Sequence, residues 1–156
     1  MERHPWRKVP LSRPDNADRP RLTTPYRVLY ADCDPYDVVY NVNYFVFFER
    51  ARVELMRAQG LSYRELRARG YEMPIIETGA RFKRPARYDD LLGVTAICAR
   101  QTKTRLFIEY EVHRDGELLL TGFTTHVLVT RDGELRRFPD WLAELLENRP
   151  VVETRD

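Results

Sequence analysis

Cysteine is scarce in this chain: Cys33 and Cys98 are the only two among 156 residues. A single pair cannot build the disulfide framework of a small secreted domain, and its spacing matches no zinc motif. Both read as reduced thiols, which points to the cytoplasm. No apolar run approaches the roughly 20 residues needed to span a bilayer. The opening Met1-Glu2-Arg3-His4-Pro5-Trp6-Arg7 has no apolar segment of the kind that marks a secretory signal. An excess of one charge is missing too. Lys and Arg number 26 against 24 Asp and Glu, a formal net charge of +2, so composition does not announce a nucleic-acid partner. Internal repeats and low-complexity tracts are absent from the body of the chain.

What is present fits one globular domain. Hydrophobic residues make up 43% and charged residues 32%, which suits an ordinary packed core. The charge is unevenly placed. Residues 1–22 form a Pro- and Arg-rich arm with no apolar period, in which Trp6 is a candidate pin onto the body or a neighbouring subunit. A second basic cluster, Arg81-Phe82-Lys83-Arg84-Pro85-Ala86-Arg87, lies inside structured sequence. It reads either as a solvated strand end or as a surface facing a polyanion such as a nucleotide phosphate. The body spans 23–148, and 149–156 is a tail.

Periodicity divides the body. Tyr26–Ala31 reads as a strand entered from Pro25. From Asn43 to Gln59 the apolar residues Tyr44, Phe48, Ala51, Leu55 and Ala58 recur at helical spacing, and Gly60 stands where a C-terminal glycine belongs. The first turns are apolar nearly all round, which demands an enclosed helix. Ser62-Tyr63-Arg64-Glu65 is a capping-box pattern opening a short helix that Gly70 closes. Strands are expected over 72–83 with a bulge at Gly79, and over 91–101 and 104–113. Asp115-Gly116 turns the chain into a strand over 117–130, followed by a short one over 134–137. Pro139 opens a terminal amphipathic helix. One buried helix followed by a strand meander predicts an α+β layer, its antiparallel sheet of five to six strands curled around the helix.

The chemistry concentrates in Asp32-Cys33-Asp34-Pro35-Tyr36-Asp37-Val38-Val39-Tyr40-Asn41-Val42-Asn43. Three carboxylates stand in a loop that runs straight into the apolar helix. A helix entry leaves backbone N–H groups without intrahelical partners, suited to an oxygen that develops negative charge. A carboxylate beside such donors is minimal equipment for attack on an acyl carbonyl. Asp34 reads equally as an Asx-turn residue before Pro35, and Asn41 equally as a turn or N-cap residue.

Tyr30-Ala31-Asp32-Cys33-Asp34-Pro35, Val38-Val39-Tyr40, Asn43-Tyr44 and Phe47-Phe48-Glu49-Arg50-Ala51-Arg52, with the later Arg87-Tyr88-Asp89-Asp90, resemble the hot-dog-fold acyl-CoA thioesterases of the 4-hydroxybenzoyl-CoA thioesterase type. The resemblance covers about residues 23–146. It implies a hot-dog fold and hydrolysis of an acyl-CoA thioester without metal or redox cofactor. It also implies Asp34 as the catalytic carboxylate and the backbone N–H of Asn41 as the oxyanion donor. Members of that family are dimers whose sheets join edge to edge, often pairing again into tetramers, with active sites between subunits. The chain departs from the pattern at two positions: many relatives carry Gly in place of Asp37 and His in place of Asn41.

Candidates for the acyl wall are Tyr36, Tyr40, Tyr44, Phe45, Phe48 and Met73, all of which also suit plain core packing. Lys83, Arg84, Arg87, Lys103 and Arg105 are candidates for the coenzyme A phosphates, since Arg gives bidentate contacts and Lys a point charge. Glu49 is expected to pair with Arg52 or Arg84. His113 and His126 have no local carboxylate or hydroxyl pattern that would make a triad. The alternative to an enzyme is a hot-dog module that binds acyl-CoA or an acylated carrier protein without cleaving it.

Overall fold

The computed structural model describes residues 17–150. Trp6 and most of the basic arm lie outside them. Strand β1 (Arg21–Arg27) is followed by a 3-10 turn at Tyr30–Asp32, then by helices α1 (Asn43–Ala58) and α2 (Tyr63–Ala68). Strands β2 (Tyr71–Glu72), β3 (Ile75–Phe82), β4 (Leu91–Gln101), β5 (Leu106–Arg114), β6 (Glu117–His126), β7 (Leu128–Thr130) and β8 (Leu135–Arg136) precede helix α3 (Asp140–Leu146). Five strands form an antiparallel sheet in the order β1-β4-β5-β6-β3, and β2-β7-β8 form a smaller one. The α+β layer is the one that the helix-then-meander pattern predicts, and the arrangement is the hot-dog fold that the resemblance implies.

Helix α1 is enclosed because its sequence leaves it no polar side at its start. Tyr44, Phe47, Phe48, Ala51, Leu55 and Met56 are all at most 2% exposed. They meet the inward residues of the sheet, among them Val94, Ala96, Ile108, Tyr110 and Leu120. Phe48 stacks on Tyr110 with ring centroids 4.3 Å apart and planes 11° from parallel. Its ring also lies over Gly122, where an added Cβ would come within 2.4 Å of it. Gly122 is therefore a space requirement, since any side chain there displaces the stacked ring.

The helix signals hold residue by residue. Gly60 ends α1 at φ 100° and Gly70 ends α2 at φ 89°, both in the left-handed region. Ser62 and Glu65 form the reciprocal capping box, Ser62 N–H to the Glu65 carboxylate at 2.7 Å and Glu65 N–H to the Ser62 hydroxyl at 3.2 Å.

The strands differ from expectation at their ends. β1 begins at Arg21, so the last two residues assigned to the arm belong to the sheet, and it stops at Arg27 instead of running to Ala31. There the Asp32 carboxylate accepts the Leu29 N–H at 2.7 Å and the Tyr26 hydroxyl at 2.9 Å, bending the chain into the 3-10 turn. The strand expected over 72–83 is two strands, interrupted at Pro74, which has no N–H for a ladder. The irregularity lies between Ile75 and Glu77, and the register runs evenly through Gly79, so no bulge sits there. The strand expected over 117–130 likewise breaks at Val127.

Candidate active site

The acidic loop is held by its own backbone. Cys33 and Val39 form an antiparallel bridge, Asp34 N–H donates to the Val38 carbonyl at 2.9 Å, and Asp37 N–H donates to the Asp34 carbonyl at 3.0 Å. Asp37 turns the chain at φ 60°, where glycine is most at ease and Asp is among the few tolerated side chains. This is the position where many of the resembled relatives carry Gly, and the backbone conformation gives the reason. Three bonds tie the loop to the elements around it. Val39 N–H donates to the Ala86 carbonyl and Tyr40 N–H to the Asp32 carbonyl, each at 2.9 Å, and the Asn43 side-chain amide donates to the same Asp32 carbonyl at 2.8 Å. Asp32 is thus a structural acceptor.

Asp34 serves two ends with its two oxygens. Oδ1 accepts the Tyr36 N–H at 2.8 Å, which is the Asx turn. Oδ2 has no hydrogen-bond partner among the described residues. At the helix entry, Asn43 N–H and Phe45 N–H bond to the Tyr40 and Val42 carbonyls, whereas the exposed Asn41 N–H has no acceptor among the described residues. Asn41 lies two residues ahead of α1, in the turn before it, and not on the helix itself.

Asp34 and Asn41 line one cleft of about 460 Å³, walled by Tyr36, Tyr40, Tyr44 and Phe82, with Lys83 and Arg84 at its border. Tyr36 is 84% exposed and Tyr44 only 2%, so one ring stands at the mouth and the other at the base. Burial pushes the Tyr44 hydroxyl up from its ordinary range, and that hydroxyl accepts the Ala86 N–H at 3.2 Å. Desolvation and the adjacent Asp32 and Asp34 charges push the Cys33 thiol up, which keeps it protonated beside the cleft.

The remaining candidates divide. Arg87 lies beside the loop, its guanidinium 3.2 Å from the Asp37 carbonyl. Arg84 is bound to Glu117 at 2.7 Å, while Lys83 has no side-chain partner among the described residues. Phe48 and Met73 are core residues that do not reach the cleft within one chain. Phe45 is partly buried against Phe48 at 5.7 Å. Lys103 and Arg105 lie beyond Gln101, at the far end of the eleven-residue β4 from the Leu91 end that flanks the acidic loop. At about 3.3 Å per residue that separation exceeds roughly 30 Å.

Glu49 forms no ion pair among the described residues, contrary to the expected pairing with Arg52 or Arg84. Arg84 is taken by Glu117, and buried Arg52 donates to the Tyr63 and Tyr110 hydroxyls at 3.0 Å each. Sequence reasoning missed Phe82, Val38, Val39 and Pro85 as lining residues. The available signal for Phe82 was its place at a strand end beside the basic cluster. Among the described residues no group of three His, Cys, Asp or Glu side chains is placed to hold a metal ion, and no helix is long and apolar enough to cross a membrane.

A family model described as the thioesterase-like superfamily matches residues 28–147. The acyl-CoA thioesterase YbgC of Haemophilus influenzae is 30% identical over 113 residues, covering 72% of this chain and 82% of that protein. Among solved structures, a DHNA-CoA thioesterase from Staphylococcus aureus is 27% identical with a TM-score of 0.75, covering 80% of this chain and 87% of that one. A mutant 4-hydroxybenzoyl-CoA thioesterase complexed with 4-hydroxybenzoyl-CoA is 26% identical with a TM-score of 0.73, covering 81% and 98%.

Proposed function

Because this chain belongs to the thioesterase-like superfamily and is a thioester hydrolase, we propose that it hydrolyses an acyl-CoA thioester in the cleft between the acidic loop and the entry of α1. The observation that carries the reading is the pair of unspent groups there. Asp34 has one carboxylate oxygen without a partner and Asn41 has a backbone N–H without an acceptor, and both line the same cleft. Within the loop the N–H groups of Asp34, Tyr36, Asp37, Val39 and Tyr40 are bonded.

In the proposed reaction the thioester carbonyl oxygen takes the Asn41 N–H, and negative charge grows on it as the carbonyl carbon is attacked. A donor of this kind is worth about 3 kcal/mol to the transition state. Asp34 Oδ2 supplies the attack in one of two ways. It adds to the carbonyl carbon, the C–S bond breaks, the thiolate leaves, and water cleaves the resulting mixed anhydride. Alternatively it takes a proton from a water that adds directly. Both routes yield free acid and coenzyme A. The acyl group lies against Tyr36, Tyr40, Tyr44 and Phe82, and the unpaired Lys83 with Arg87 faces the phosphates of coenzyme A. Action as a homo-oligomer in the cytoplasm accompanies this reading, with the exposed edge of β3 as the joining surface.

The test is thiol release across a panel of aliphatic and aromatic acyl-CoAs with the wild type and Asp34→Asn. Asn keeps the oxygen that accepts the Tyr36 N–H and removes only the charge. Turnover by the wild type and its collapse in the variant support the proposal. Binding without turnover across the panel returns the chain to a non-catalytic acyl-CoA module.

A further inference from the structure

Helix α1 starts without a side-chain cap. Val42 stands at the cap position with helical dihedrals, and no side chain there bonds the first N–H groups among the described residues. Valine is among the poorest residues for that role and asparagine among the best. The asparagine stands one residue further on. Its side-chain amide reaches back out of the helix and donates to the Asp32 carbonyl at 2.8 Å, across 11 positions of sequence. Helix α2, by contrast, spends Ser62 and Glu65 on a full capping box. A helix entry that forgoes its cap has put that side chain to another use, and such departures from local preference gather at functional sites.

The use is set by what meets at Asp32. Its carbonyl accepts the Tyr40 N–H at 2.9 Å and the Asn43 side-chain amide at 2.8 Å, one from each side of Asn41. A carbonyl has two lone pairs, so this one is full. The Asn43 N–H in turn bonds the Tyr40 carbonyl at 2.9 Å. Residues 40 and 43 are thus fixed to each other and to one oxygen, and Asn41 with its free N–H lies between them. Asp32 is itself held from β1. Its carboxylate takes the Tyr26 hydroxyl at 2.9 Å and the Leu29 N–H at 2.7 Å. The Tyr26 ring lies 4.3 Å from the Phe47 ring and 5.1 Å below the Arg50 guanidinium. Burial, then the bond to Asp32, pushes the Tyr26 hydroxyl up from its ordinary range, so it stays a donor.

We infer that Asn43 is a positioning residue: its side-chain amide, anchored on the Asp32 carbonyl and through it on Tyr26 of β1, fixes the turn that presents the Asn41 N–H to the cleft. This role rests on the acyl-CoA reading above; the brace itself does not. Neither Tyr26 nor Asn43 lines the cleft. Both act only on where a donor stands. A donor fixed in advance needs no reorganisation when negative charge forms on the substrate oxygen. Misplacement by about 1 Å costs up to about a hundredfold in rate.

The experiment compares Asn43→Ala, Asn43→Asp and Tyr26→Phe with the wild type, on the full chain, with benzoyl-CoA and butanoyl-CoA from the acyl-CoA panel. Ala removes the amide. Asp keeps its shape but, ionised, cannot donate, while its charge suits a helix start. Both Asn43 variants should lose about ten- to a hundredfold in kcat, agree with each other within about threefold, and keep KM within about twofold. Tyr26→Phe acts one bond further back and should lose about three- to tenfold in kcat, again at constant KM. Amide hydrogen exchange at Tyr40, whose N–H shares the Asp32 carbonyl, should quicken at least about fivefold in all three. The melting temperature of Asn43→Asp should not fall.

A KM that rises in step with the loss, or wild-type kcat in folded Asn43→Ala, overturns the positioning role. A loss confined to Asn43→Asp assigns the effect to the new charge and overturns it too. If neither Asn43 variant folds, Tyr26→Phe, which deletes a single hydroxyl, decides: wild-type kcat with quickened Tyr40 exchange overturns the role. Unchanged Tyr40 exchange overturns the brace. Quickened exchange in a protein that turns over no acyl-CoA of the panel defeats the acyl-CoA reading and leaves the brace standing.

Discussion

The entry of α1 and its middle handle polar side chains under opposite rules. At the entry, an Asp34 oxygen, the Asn41 N–H and the Lys83 ammonium have no partners among the described residues, and all three line one cleft. In the middle, Arg52 donates to Tyr63 and Tyr110 at 3.0 Å. The Tyr110 hydroxyl lies 2.8 Å from the Thr124 hydroxyl, which lies 2.9 Å from His126 Nε2, and His126 Nδ1 lies 3.2 Å from the Met73 carbonyl. Tyr110 is 1% exposed and His126 fully buried. A buried polar atom without a partner costs about 1–3 kcal/mol, so the interior chain of bonds has to close. The cleft is open to solvent at Tyr36, Tyr40 and Asn41, so its groups carry no such cost and stay open for a substrate. Residue type alone points the wrong way here: the His, Arg and Tyr that look most catalytic are the structural ones.

Asp34→Asn is the strongest attempt on this division. Turnover should fall by about three orders of magnitude, some 4 kcal/mol in the barrier, while the melting temperature stays within about 2 °C. A melting temperature that drops with turnover intact would move Asp34 to the structural side.

Acid probes the other region. Burial, with the nearby Arg52 charge, pulls His126 down to about 4 from its ordinary 6.5. The folded state keeps it neutral while the unfolded state protonates it, so the unfolded state binds more protons between those values. Stability is therefore full above pH 6.5 and is lost as pH falls towards 4, by about 3 kcal/mol in all at 1.36 kcal/mol per unit. Urea denaturation at pH 7 and pH 4.5 reads most of this loss before the carboxylates titrate. A flat profile over that window would mean that His126 is not held neutral by its surroundings.

Two smaller changes sharpen the contrast. Gly122→Ala pushes a methyl into the Phe48 ring and should destabilise the interior by about 1–3 kcal/mol in chemical denaturation, with partial recovery when Phe48→Leu is added. Asp37→Gly relieves a left-handed residue in the loop and should stabilise by about 0.5 kcal/mol at most. A loss of stability there would show that the Asp37 side chain holds the loop.

Much of this was legible from the chain. The helix from Asn43 to Ala58, its terminal Gly60, the capping box at Ser62 and the strand Leu91–Gln101 follow from local periodicity and turn chemistry. The acidic loop and Asn41 also stood out, because a short Asp- and Pro-rich run joined to an apolar helix is a contiguous pattern. Less legible were the breaks at Pro74 and Val127, the regular register through Gly79, the Glu117 partner of Arg84 and the placement of Lys103 and Arg105. Each of these depends on which distant residue lies across the ladder.

The amino-acid order alone determined the class of fold, the enclosed helix and the loop that carries the candidate chemistry, since helical periods, glycine turns and caps act within a few residues. Tertiary structure alone decided which polar groups end satisfied and which remain open. A hydrogen-bond partner 14 or 58 residues away, as Thr124 and Arg52 are from Tyr110, is chosen only when strands and helix pack. Burial then sets what an unmet partner costs.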